Sequence, residues 1–252
     1  SYSRSATSRT GMLDMNKLHT YKYNEDIFKK VTTIPEGKNH GLVFLLDWSG
    51  SMHHILEDTL KQLFNLVWFC RKVQIPFEVY AFTNDSWTLD PRLTKEESRS
   101  FSYDYSLPPH HDPKVNDLIV PSTFRMVNIL SSKQRGRDLD EMMKLLFTQT
   151  YAMCKHYMDY NRHFQLSGTP LNEAIIALGQ IMKQFIKSND IQKCHAVVLT
   201  DGDSFHADYL RKRDDGLTSK GSVYHGGFMI RSGSRTYNGG NGNTDFTCSL
   251  VK

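Results

Sequence analysis

The sequence predicts an α/β fold in which a mainly parallel central sheet is flanked by helices. Three observations carry that prediction. Gly41-Leu-Val-Phe-Leu-Leu46 is a run of apolar residues behind a glycine, and it reads as a strand covered on both faces. His195-Ala-Val-Val-Leu-Thr200 reads as a second. Stretches of helical periodicity lie between them, and strands that alternate with helices favour parallel pairing.

Taken in order, residues 1–37 are polar and basic, with Arg4, Arg9, Lys17, Lys22, Lys29 and Lys30 among serines and threonines. They read as an arm or linker ahead of one domain spanning 38–252. After the first strand, Leu56, Leu60, Leu63, Val67 and Cys70 recur at spacings of four and three, so 53–73 is expected to be a helix with one buried face, closed by Pro76. Phe77–Phe82 reads as a second strand, ended by the Asn84-Asp85 turn signal. Residues 84–122 hold Pro91, Pro108, Pro109, Pro113 and Pro121 and read as a long excursion; with an edge strand expected at Phe124–Leu130, 84–136 forms an insertion or edge region. Leu139–Tyr160 is expected to be helical. Ser167-Gly-Thr-Pro opens another helix to about Lys187, with Pro170 at the first helical position, where its missing N–H costs nothing. The strand at His195–Thr200 leads into an Asp201-Gly-Asp-Ser loop. Past Ser204, Val223–Ile230 reads as a strand and Asn238–Asn243 as a flexible turn. The strand and helix that would complete a doubly wound sheet are not legible there, so the C-terminal end is expected to be incomplete. The chain has no initiating Met and is expected to be a fragment.

Composition narrows the function classes. At 252 residues and 39% hydrophobic, the chain has the apolar content of a folded domain, which excludes fibrous and mostly disordered classes. No apolar run approaches the ~20 residues of a membrane-spanning helix, so no membrane partner is expected, and no apolar stretch near residue 1 resembles a secretory signal. A net charge of +4 is too mild to make nucleic acid the default partner, and Arg211-Lys-Arg213 reads as a solvated face. Cys70, Cys154, Cys194 and Cys248 are scattered without a CxxC pair, which favours reduced thiols and a cytoplasmic location.

Three short motifs carry the chemistry. Asp47-Trp-Ser49-Gly-Ser51-Met follows the first strand, Ser167-Gly-Thr169-Pro170 starts a helix, and Thr200-Asp201-Gly202-Asp203 follows the other apolar strand. Open α/β sheets bind ligands just beyond the carboxyl ends of their strands. Together the motifs offer two carboxylates and three hydroxyls, hard donors suited to Mg²⁺, with Mn²⁺ or Ca²⁺ as substitutes. Asp47, Ser49 and Ser51 alternate by two, so an extended loop can point all three the same way. The two serine hydroxyls can bind directly, and Asp47 or Asp201 directly or through water. Two carboxylates leave one position for an acidic group from a partner. Each motif also has an ordinary reading: Ser51 as a helix cap, Thr-Pro as capping grammar, Asp-Gly as a turn. The specific feature is their combination in this order. Trp48, His53 and Phe205 are candidates for a partner-binding rim, and Asp203 for a residue that supports the ligands from behind.

Asp47-x-Ser49-x-Ser51, the later Thr169 and then Asp201 resemble the metal-ion-dependent adhesion site of von Willebrand factor A domains, over about residues 40–205 and with all five positions present. The forms DWSGSM, SGTPL and LTDGD look more like the intracellular branch than like integrin inserts. Upstream, SRTGMLDMNKL is similar to the segment preceding the A domain of CobT-type cobaltochelatase subunits, and EGKNHGLVFLLDWSGSM looks like the branch carried by tailed bacteriophages. The resemblance implies a Rossmann-like domain whose Mg²⁺ is completed by a partner's carboxylate. It implies pairing with a MoxR/CobS-type AAA+ ATPase that supplies ATP hydrolysis, in the host cytoplasm if the protein is phage-encoded. The expected role is a non-enzymatic adaptor in a chelatase-like or remodelling complex. The alternative is an enzyme: a cobaltochelatase subunit sharing in cobalt insertion into a corrinoid, or a hydrolase or peptidase. The chain departs from the family's pattern in its long 84–122 excursion and in lacking the acidic segment found upstream in CobT subunits.

Other chemistries lack their motifs. There is no Gly-x-Ser-x-Gly elbow, no HExxH zinc motif and no phosphate-binding Gly-x-x-x-x-Gly-Lys-Ser/Thr loop, so any ATP use falls to a partner. His53-His54 and His110-His111 are adjacent pairs, and neighbours on a helix point about 100° apart, which rarely lets them share an ion.

Overall fold

The computed structural model describes residues 6–13, 22, 28–33, 39–84, 114–120, 123–156, 160–161, 164–202, 204–205, 207–223, 227–232, 234–241 and 243–251. It divides into two units, 1–39 and 40–252. In the first, β1 (Ala6–Leu13) and β2 (Phe28–Thr33) pair antiparallel, with Thr7 opposite Thr32 and Arg9 opposite Lys30. The sequence of this stretch shows no strand pattern, because its apolar residues do not alternate; pairing supplies what propensity does not.

The second unit opens with β3 (His40–Asp47), α1 (Leu56–Lys72), β4 (Phe77–Thr83), β5 (Leu118–Ile119), β6 (Arg125–Ser131) and α2 (Gly136–Tyr151). It continues with α3 (Leu171–Ser188), β7 (Lys193–Leu199), β8 (Asp208–Lys212), β9 (Thr218–Ser222), β10 (Gly227–Ser232), β11 (Arg235–Asn241) and α4 (Asn243–Leu250). The central sheet has the order β6-β4-β3-β7, with β3 parallel to both β4 and β7 and β6 antiparallel at the edge. The fold is therefore mixed α/β with a mostly parallel sheet flanked by helices, compatible with a Rossmann-like arrangement.

Alternation along β3 splits the core between two layers. Phe44 and Leu46 join Leu56, Leu60, Leu63 and Val67 of α1 and Leu139, Met143 and Leu146 of α2. Val43 and Leu45 face the other way, onto Leu171, Ala174, Leu178 and Phe185 of α3. The predicted face of α1 is the buried one, and each such side chain contributes about 1.5–3 kcal/mol on burial. Packing of this face, more than helix propensity, is what holds α1. It ends at Val73, whose N–H reaches the Phe69 carbonyl at 3.0 Å, and Gln74 adopts φ 58° in the left-handed region before Pro76.

Several expectations need correction. β7 was expected to be buried on both faces, but it forms an edge of the central sheet and Val198 is 38% exposed, since no strand among the described residues covers its outer side. Asn238–Asn243 is not simply a turn: β11 runs through Asn241, pairing with Gly227 of β10, and α4 starts at Asn243. The C-terminal region thus holds strands and a helix after all, but they build a small antiparallel sheet (β5-β8-β9) and a hairpin around Ala207, Val223 and Phe246 rather than extending the central sheet. The helix expected to reach Tyr160 ends at Tyr151 and passes into a π-helical turn, Ala152–His156. Pro170 stands one residue before α3 rather than inside it. Most of the 84–122 excursion and Asp203 lie outside the described residues. No helix among the described residues is long and apolar enough to cross a membrane.

Candidate metal centre

The parallel register assembles the site. Leu46 lies opposite Leu199, so the residues that follow, Asp47 and Thr200, emerge side by side at the carboxyl end of the sheet. The Thr200 hydroxyl donates to Asp47 Oδ2 at 2.6 Å. The chain then leaves the sheet, with the Trp48 N–H on the Phe82 carbonyl at 3.0 Å. Ser49 forms a parallel bridge with Ser167: the Gly50 N–H donates to the Ser167 carbonyl at 2.7 Å and the Ser167 N–H to the Trp48 carbonyl at 3.3 Å. The Phe205 N–H donates to the Thr169 carbonyl at 3.0 Å. These backbone bonds join three motifs that lie far apart in sequence into one loop cluster.

Within the cluster the side-chain oxygens touch in series. Ser49 Oγ and Ser51 Oγ are 3.0 Å apart, and the Ser51 hydroxyl donates to Asp201 Oδ1 at 3.0 Å. Asp47 is fully buried, and its Oδ1 has no hydrogen-bond partner. Burial pushes the Asp47 carboxyl above the ordinary carboxylate range. The Thr200 hydroxyl and the nearby Ser49 hydroxyl and N–H pull it back, while the charge of Asp201 pushes it up further. A buried carboxylate with an unmatched oxygen is expensive unless it takes up a proton or a cation.

The donor set fits a small divalent ion. Mg²⁺ holds oxygen ligands at about 2.1 Å in an octahedron, which sets neighbouring ligands about 3.0 Å apart. The Ser49–Ser51 and Ser51–Asp201 spacings, each a hydrogen bond of 3.0 Å, are ones that neighbouring ligands of such an ion can also keep. The ordinary reading of Ser51 is not realised: the 3₁₀ turn Ser51–His54 has Gly50 at its start and no side-chain cap. In the first turn of α3, the N–H of Asn172 donates to the Ser204 hydroxyl at 3.1 Å. No cluster of three or more His, Cys, Asp or Glu side chains suited to a metal occurs among the described residues, so an imidazole–thiolate or acid-rich site is not formed there.

Of the three rim candidates, Phe205 alone is mostly exposed, at 54%. Its ring lies over Gly168, where an added Cβ would run into it, so a larger residue there has to displace the ring. Trp48 must be corrected: it is 4% exposed and its indole N–H donates to the Phe164 carbonyl at 2.8 Å, which turns it into the core. His53 is half-buried with Nε2 3.3 Å from the Met153 carbonyl, facing the π-helical turn. The Ser49 and Ser51 hydroxyls are instead bonded to each other, and that of Ser51 to Asp201.

Two further residues are structural parts of the site: Thr200, which belongs to the third motif without a role assigned to it there, and Asn172, which lies outside the motifs. Thr200 fixes Asp47, and the signal for it was its position one step past an apolar strand in parallel register. Asn172 is buried at the start of α3; its Nδ2 donates to the Phe205 carbonyl at 3.2 Å, and its Oδ1 accepts from Thr247 of α4 at 2.6 Å. Nothing local in the sequence marks it. Comparison of the chain with protein-family models, with curated proteins and with solved structures finds no match.

Proposed function

We propose that the chain is a Mg²⁺-dependent protein-interaction domain of the von Willebrand A type. Asp47, Ser49, Ser51, Thr169 and Asp201 hold the ion, and an acidic residue of a protein partner completes its shell. The observation that carries this reading is the fully buried Asp47 with its unmatched Oδ1 beside the Ser49–Ser51–Asp201 series. When bound, the ion supplies an electrophilic position for an anionic oxygen from outside. The chain's own residues do the rest. Thr200 holds Asp47 in one orientation, the Ser167 and Gly50 backbone bonds fix the serine loop against the start of α3, and two carboxylates leave charge on the ion unmet. Phe205 offers an exposed aromatic surface beside Gly168 for the apolar neighbours of the incoming acid.

The forms of the three motifs support an adaptor role in a chelatase-like or remodelling complex, with a MoxR/CobS-like AAA+ ATPase as partner in the cytoplasm. The test is capture of a candidate ATPase of that class by the purified full chain, with Mg²⁺ and with chelator. The reading expects capture that chelator abolishes and that Asp201→Ala abolishes in Mg²⁺. Capture indifferent to both would contradict it.

A further inference from the structure

We propose that the chain forms a two-fold dimer in which the outer edge of β7 pairs antiparallel with the same edge of a second copy, while the two α1 helices pack side by side across the join. The inference concerns the flank of the central sheet away from α2 and stands apart from the reading of the metal centre.

Two open surfaces meet on that flank. The first is the strand: β7 ends the order β6-β4-β3-β7, and no strand among the described residues pairs with its outer side. Folded proteins ordinarily blunt such an edge with proline, a bulge or charges. β7 has no proline, its register with β3 runs unbroken from Lys193 to Leu199, and its one fixed charge, Lys193, stands at its end. Ala196 and Val198 lie exposed along it. The second surface is the helix. Lys61, Asn65 and Trp68 of α1 face α2 across a groove. On the opposite flank, toward β7, Leu66, Phe69, Val73 and, ahead of the helix, Ile55 are 40% to 56% exposed. With Thr59 and Gln62 they recur at alternating spacings of four and three, the seam by which one helix meets another. A line of large apolar side chains left in water marks an interface.

Geometry makes a second copy the occupant that answers both surfaces at once. Phe44 and Leu46 of β3 and Val197 and Leu199 of β7 share one apolar cluster with α1, so the helix lies over the β3–β7 pair. Pairing β7 with its mate sets the two α1 helices two strand spacings apart, about 10 Å, which is the usual distance between packed helices. Their lengths agree as well. The 17 residues of α1 span about 25 Å and the seven of β7 about 23 Å, so an axis through the middle of β7, near Ala196, passes level with the middle of α1. A two-fold axis there runs both strands and both helices antiparallel. It brings Ile55 of one copy level with Val73 of the other, and the acidic first turn of one α1 (Glu57, Asp58) to the basic last turn of its mate (Arg71, Lys72). At about 60–100 Å² for each half-exposed side chain, together with the strand edges, two copies bury on the order of 1,000 Å² in all, the least a specific dimer needs.

The test is sedimentation velocity of the full chain across the micromolar range, with each variant confirmed to be folded by circular dichroism. The wild-type protein is expected to be a dimer. Ala196→Lys sets like charges opposite each other near the axis, and Leu66→Lys puts a charge into the helix seam; each is expected to weaken the dimer at least tenfold. Trp68→Lys, on the flank that faces α2, is expected to leave it unchanged. A monomer throughout assigns that flank to a different chain and overturns the proposal. So does a dimer that survives unchanged in either folded seam variant, or one that Trp68→Lys weakens equally. Should a seam variant fail to fold, hydrogen exchange of the wild-type protein decides: the outward amides of β7 exchange more slowly in the concentrated than in the diluted protein, and equal exchange at both concentrations overturns the pairing.

Discussion

Glu173 sits in the first turn of α3, a place where an acidic side chain is ordinarily favourable. Here it is 4% exposed, and its Oε2 is buried without a hydrogen-bond partner. Burial, above all, raises its pKa from an ordinary 4.5 to about 7; its own N–H opposes the rise and the charge of Asp208 adds to it. The folded protein therefore holds this proton more tightly than the unfolded chain. Stability from this group is complete below pH 4.5 and is lost as the pH rises through about 7. At about 1.4 kcal/mol per pH unit, the ionised side chain costs about 3 kcal/mol above pH 7. Glu173→Gln keeps the shape and removes the charge. Its buried amide adds an offset that does not vary with pH, so the informative quantity is the slope. Urea unfolding followed by circular dichroism from pH 4 to pH 8 should show the variant gaining about 3 kcal/mol on the wild type across that range. Parallel stability–pH profiles for the two proteins would show that Glu173 does not hold its proton more tightly in the folded state.

Three further substitutions probe the Asp47 donor, the Trp48 indole bond and the contact of Phe205 with Gly168. Thr200→Val removes the 2.6 Å donor to Asp47 and should lower Mg²⁺ affinity about 10–100-fold, the usual effect of losing a residue that orients a ligand; calorimetric titration reads it, and an unchanged affinity would count against the role of Thr200. Trp48→Phe leaves the Phe164 carbonyl without its indole donor and should cost about 1–3 kcal/mol in urea unfolding. Gly168→Ala drives a methyl into the Phe205 ring and should cost about 1–3 kcal/mol by overpacking, with displaced Phe205 ring signals in NMR; unmoved signals would show that the ring does not rest there.

What was legible in the sequence was whatever a short window contains. The spacing of Leu56, Leu60, Leu63 and Val67 named the buried face of α1, and the run 42–46 named the central strand, because both record burial by the chain's own periodicity. The run in β7 looked the same but lies at an edge: whether a strand is covered depends on its neighbours, which no window holds. β11 was hidden for the opposite reason, since Asn-Gly-Gly-Asn has poor strand propensity and the element rests on pairing with β10. At the candidate site, the alternation of Asp47, Ser49 and Ser51 was readable. The fate of Trp48 was not, because its partner Phe164 is 116 residues away. Asn172, bonded to a loop and to the last helix, belongs to the same class of unreadable long-range contacts.

The central claim is that Asp47 and Asp201, with the serines between them, hold a divalent ion. Isothermal titration of the full chain with Mg²⁺, beside Asp47→Ala and Asp201→Ala, tests it most directly. The account predicts one ion per chain in the wild-type protein and loss of that binding in both variants, each confirmed to be folded by circular dichroism. Mg²⁺ binding that survives unchanged in both variants, or is absent from the wild-type protein, would contradict it.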